Sequence, residues 1–189
     1  MGPNEQTLAD GSFHLVHNEL ILGIGGLVMI KLSYILRVLS LAILFGGSIA
    51  VIVSAITLVK AAEAHGVPAA EAATANAPMF MTFSNMVMVS GFVLLFAESL
   101  DYAKHRVINK LLSVRYGASL LCSIATIILC FAIVPPMKEM LASGVHASEH
   151  TAEIWKTFHE TSKLAFSAII LTALVSLVMP AFEMPRKPL

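Results

Sequence analysis

The side chains best equipped for chemistry lie close together near the end of the chain. His146, Glu149, His150 and Glu153 are separated by steps of three and four, which on a helix sets them along one face. Imidazole and carboxylate are ligands for zinc and for copper. One helical face cannot surround a tetrahedral ion, so a metal centre built on His146, His150 and Glu153 needs a ligand from another segment, and His65 or His159 is the imidazole on offer. The same spacing is also what a solvated helix carries. Stoichiometric zinc or copper is therefore not expected, and no cofactor is expected either.

Three other groups invite a chemical reading. Asn85 is a side-chain amide in an apolar run, where it costs several kcal/mol unless paired; it is expected to face inward, bonded to a neighbouring helix or touching a ligand. His159 and Ser162 stand just ahead of the last apolar run, in Phe158-His159-Glu160-Thr161-Ser162-Lys163, where a histidine serves as an interface anchor, a pH-sensitive group or a ligand contact. Met79, Met81, Met86 and Met88 offer thioethers that bind Cu(I), but methionine is also a flexible filler of apolar interfaces, and packing is the preferred reading. All seven histidines fall outside the apolar runs, which argues against a haem held between membrane helices. There is no Gly-x-Ser-x-Gly motif and no phosphate-binding glycine loop.

These groups have to be positioned by elements that suit a very apolar chain. Of 189 residues 57% are hydrophobic and 13% charged, against roughly 25% charged in a soluble domain, and the mean hydropathy is +0.82. Soluble enzyme folds are excluded. Twelve basic and twelve acidic residues cancel, which leaves no basic footprint for nucleic acid and no polybasic patch for lipid headgroups.

A hydrocarbon core of about 30 Å needs about 20 apolar residues in a helix, and four runs without Lys, Arg, Asp, Glu or His qualify: 38–59, 78–97, 116–137 and 164–182. With no intramembrane charge in these runs, proton or ion coupling is not expected. Continuous apolarity excludes an outer-membrane barrel, whose strands alternate. The predicted fold is all-α, a polytopic four-helix transmembrane bundle over residues 32–189. Residues 1–31 form an N-terminal extension whose apolar run, Leu20 to Ile30, is too short to span and is read as interfacial. Met29-Ile30-Lys31 resembles a natural start, and Ala62-Glu63-Ala64 resembles a signal-peptide cleavage site, but the preceding run is longer than a signal core and a retained span is favoured.

Basic residues set the orientation. Lys31, Arg37, Lys104, Arg106, Lys110, Arg115, Arg186 and Lys187 lie on one side, and Lys60, Lys138, Lys156 and Lys163 on the other. Both termini are expected in the cytoplasm.

Helices in lipid associate through small residues. Gly46, Gly47 and Ala50 in the first run, and Cys122, Thr126 and Cys130 in the third, recur at helical spacing and are expected to form packing faces within the bundle or a dimer seam. Cys122 and Cys130 stand about 12 Å apart along one helix, too far for a disulfide. Pro135-Pro136 and Pro180 are expected to disturb only the last turns of their helices.

Leu36-Arg37-Val38-Leu39 leading to Leu44-Phe45-Gly46-Gly47, Ile133-Val134-Pro135-Pro136-Met137, and Phe158-His159 with Ser162 resemble the four-span family that includes transmembrane protein 205 and its bacterial relatives with a domain of unknown function. The resemblance covers about 32–179. Family members often carry a tryptophan near the first glycines, where this chain has Phe45. It implies a four-helix membrane bundle and points to Gly46, Gly47, Pro135, His159 and Ser162; it implies no reaction. The leading expectation is a non-enzymatic, structural or accessory membrane protein, stress-related in one version, that contacts membrane lipid, has room for a homo-oligomer and binds no nucleic acid. Its expected place is the cell membrane, the inner membrane in a bacterium. Two classes stay open beside it: a small transporter or metal-handling protein using the outer histidines with Asn85 and the methionines, and a membrane-embedded enzyme acting on lipid or quinone. A polar cavity around Asn85 would favour either.

Overall fold

A computed structural model describes residues 28–104, 109–144 and 148–183. Every element among them is helical. Helix α1 runs Val28–Ala64 and α2 is the short Ala69–Ala75. Helix α3 is Ala77–Lys104, α4 is Lys110–Ser143 and α5 is Glu149–Glu183. Four of them, α1, α3, α4 and α5, are long and apolar enough to cross a membrane. Each contains one of the apolar runs and continues for a turn or more beyond it, except that α3 begins one residue before its run, at Ala77, and α5 ends one residue past its run, at Glu183. The N-terminal extension lies outside the described residues apart from Val28 to Lys31, which form the opening turn of α1.

Local chemistry sets the helix ends. Gly66, with φ of 84°, lets the chain turn back at the end of α1, where the amides of His65 and Val67 both reach the Ala62 carbonyl. Gly144 does the same after α4 with φ of 94°. The Asn109 side chain accepts from the Leu112 amide at 2.8 Å, capping α4, and the Ser148 hydroxyl accepts from the Thr151 amide at 3.1 Å, capping α5.

Two π-helical segments widen the spans: Ala42–Gly47 in α1 and Ile128–Ile133 in α4. The second lies directly before Pro135 and Pro136. Proline lacks an amide hydrogen and its ring crowds the carbonyl one turn back; a wider turn relieves that crowding, and α4 runs on to Ser143. The expectation that these prolines affect only the final turn is therefore corrected, whereas Pro180 does sit in the last turn of α5.

Helix α4 is the most enclosed span, with 44% of its apolar window buried against 17% for α1. Its most extensive contact is with α5. Leu41, Leu44, Val87, Leu94, Cys122, Leu129, Ile169 and Ala173 form the centre of the core, while Leu39, Val53, Ile56 and Phe131 project outward. Helices α3 and α4 are in close contact at Gly91. A Cβ there would stand 2.7 Å from the Thr126 methyl, and the Ser123 hydroxyl donates to the Gly91 carbonyl at 3.2 Å.

Candidate functional site

With four long helices running alternately up and down, the start of α1, the end of α3, the start of α4 and the end of α5 meet at one end of the bundle. Arg37, Glu98 and Arg115 each directly flank an apolar run, so they come to this end at similar depth. All three are buried: Arg37 is 6% exposed, Glu98 7% and Arg115 4%.

Arg115 is the hub. Its Nη2 donates to Glu98 Oε2 at 3.2 Å and to Asp101 Oδ2. Tyr116 donates its phenol hydrogen to the same Asp101 oxygen at 3.0 Å, and the Arg115 guanidinium lies over the Tyr116 ring at 4.6 Å. The other Glu98 oxygen accepts from the Ser119 hydroxyl at 2.8 Å, and Ser119 accepts in turn from Ser176 of α5 at 2.6 Å. Tyr102 packs edge-on against Tyr116 at 5.5 Å. From α1, the Ser33 hydroxyl donates to the Ala97 carbonyl at 2.9 Å, and Arg37 lies over Tyr34 at 5.3 Å. Two arginines and two carboxylates bring the cluster to zero net charge, and all four spans contribute to it.

The position of Asp101 is adverse to its own helix, since an acid in the last turn faces the negative end of the macrodipole. What holds it there is the cation of the next span. Charge-assisted hydrogen bonds to guanidinium are roughly twice as strong as neutral ones, and at a low-dielectric boundary the loss of one partner strands the other.

The residues singled out from sequence are placed in different surroundings. Cys122 and Thr126 are buried: the Cys122 thiol points at the Ile169 carbonyl at 3.6 Å, and Thr126 packs on Gly91. Cys130 reaches the Ser84 carbonyl at 3.3 Å. Gly47 faces the end of the Phe83 ring. Gly46 and Ala50, expected on that packing face, are exposed, and a Cβ on Gly46 would meet nothing within 4 Å. Asn85, expected inward, is exposed. The four methionines of α3 do not share a face, since Met81 is buried and Met86 is 62% exposed.

At the other end of the molecule, His65, His150 and Glu153 are exposed and His159 is half-buried; the Ser162 hydroxyl donates to the His159 carbonyl at 2.7 Å. Pro135 is exposed beside an open depression of about 460 Å³ lined by Pro136, Glu139, Met140 and Phe158. His146 lies outside the described residues. Among the described residues no three His, Cys, Asp or Glu side chains gather closely enough to hold a metal.

Sequence reasoning missed the Arg37, Glu98, Asp101, Arg115 and Ser119 cluster because it used Arg37 and Arg115 only to count orientation and gave Glu98 and Asp101 no role. The available signal was the pairing of opposite charges that flank consecutive spans on one side. No curated protein and no solved structure matches the chain. Residues 39–146, which hold Glu98, Asp101, Arg115 and Ser119 and make up more than half of the 189, match a domain of unknown function (DUF4149), and the chain belongs to that family.

Proposed function

We propose that this protein is a non-enzymatic integral protein of the cell membrane, a structural or accessory four-helix bundle whose buried charge cluster clamps the helix ends at the cytoplasmic face. One observation carries the reading: Arg115 is bonded through Nη2 to both carboxylates and Glu98 is bonded on both oxygens, while the buried Arg115 Nε has no hydrogen-bond partner among the described residues. Ionisable groups inside a span mark transport pathways when they face a water-filled cavity; here they face each other. Its resemblance to the four-span family of transmembrane protein 205, the excess of basic residues on the side of both termini and the extensive apolar surface offered to lipid support the same picture.

The test combines stability with transport. Arg115→Met leaves two carboxylates without their cation and is expected to destabilise the bundle by about 3–5 kcal/mol. Adding Glu98→Gln should cost less than the two single changes together, because the pair acts as a unit. Purified protein in vesicles carrying a pH-sensitive dye should move no protons under an imposed gradient. Proton flux that disappears in Glu98→Gln would replace the clamp with the transporter reading.

A further inference from the structure

Six residues of α3 that lie in the apolar run, Pro78, Thr82, Asn85, Val89, Phe92 and Phe96, are all exposed, and they are separated alternately by four and three positions. A stripe with that 3.5-residue period is the geometry by which one helix packs along another in a left-handed coiled coil. Exposure of apolar side chains is unremarkable in lipid. Asn85 is what sets the stripe apart.

The amide lies about 10 Å inside the apolar run, counted from Pro78 at about 1.5 Å per residue. Its side chain is too short to reach the interface as lysine or arginine would. Thr82 and Ser99, the hydroxyl residues on the same side, satisfy themselves by donating to the carbonyls of Pro78 at 2.9 Å and Leu95 at 2.8 Å. Asn85 makes no such bond among the described residues. Hydrocarbon tails offer it neither donor nor acceptor.

We propose that α3 of one chain packs along α3 of a second copy in the membrane, with the two Asn85 amides hydrogen-bonded to each other at the centre of the seam. A second copy is the occupant because a carboxamide is its own complement: the carbonyl of one accepts from the NH2 of the other. Copies inserted in the same orientation are related by a twofold axis along the membrane normal, and that axis sets Asn85 opposite Asn85 at equal depth. The same operation brings Val89, Phe92 and Phe96 against their own counterparts. A single polar residue in such a seam fixes register and the number of strands.

Single cysteines placed at Val89, Phe92 and Phe96, which leave Asn85 in place, and oxidised in native membranes should give disulfide-linked dimers. Cysteines at Ile56 in α1 and Leu171 in α5, both outward-facing, should not. The unmodified chain, whose Cys122 is buried and Cys130 half-buried, serves as the control. By energy transfer between labelled copies diluted in lipid bicelles, Asn85→Leu should weaken association by about threefold to tenfold, while Asn85→Gln keeps it. Because the position is exposed, neither change should alter thermal unfolding of the single chain. Dimers that form equally through Ile56 or Leu171, an absence of dimers through the α3 positions, or Asn85→Leu association as tight as that of the parent would overturn the proposal.

Discussion

Two serines show how much a buried hydroxyl depends on its partners. Ser48 is fully buried and its Oγ has no hydrogen-bond partner among the described residues, whereas Ser119 is 1% exposed and bonded both to Glu98 and to Ser176. Desolvating an unpaired hydroxyl costs about 1–3 kcal/mol. Ser48→Ala is therefore expected to leave thermal stability unchanged or raise it. Ser119→Ala removes the donor from a buried carboxylate and should lower stability by about 1.5–3 kcal/mol. Melting the two variants side by side in one detergent checks the sign of each, and a Ser48→Ala protein that melts well below the parent would mean that this hydroxyl has a partner. Neither outcome was legible in the sequence, where both are small polar residues in apolar runs.

At the scale of the helices, two glycines are closely approached, Gly47 by the end of the Phe83 ring and Gly91 by the β-branched Thr126. Gly91→Ala drives a methyl into Thr126 at a contact between α3 and α4, and overpacking of this kind costs about 1–3 kcal/mol. Gly46→Ala meets open space and removes a poor helix former, so its melting temperature should match or exceed that of the parent. Equal melting temperatures for Gly91→Ala and the parent would show that α3 and α4 can shift apart freely. The four spans themselves were readable, because twenty uncharged apolar residues have few other uses. Which side of each span faces a neighbour was not: in lipid both sides are apolar, so the hydropathy that orients a soluble helix carries no signal. Clustered small residues drew attention to Cys122 and Thr126, which are buried, and to Gly46 and Ala50, which are exposed in the single chain; Gly91 went unnoticed because it stands alone.

For the molecule as a whole, the charge cluster changes how orientation is counted. Arg37 and Arg115 are buried beside acids, and removing them from the tally of eight leaves six basic residues against four. The direction of the bias survives. Reporters fused after His65 and His146 are expected outside the cytoplasm and a reporter after His105 inside; an external His105 fusion would reverse the assignment. The sequence held the cluster in plain view as charges at span boundaries, but their joining in space depends on how four helix ends converge, which no single run reveals.

That convergence also imposes an order on synthesis. Arg115 follows Glu98 by 17 residues, so at about 5–20 residues per second the ribosome delivers the cation roughly one to three seconds after the acid. Until then α3 carries Glu98 and Asp101 at its trailing end with no counter-charge from α4. The two helices are thus matched to come together as a hairpin, and Ser176, 57 residues behind Ser119, closes the assembly from the last long helix to emerge.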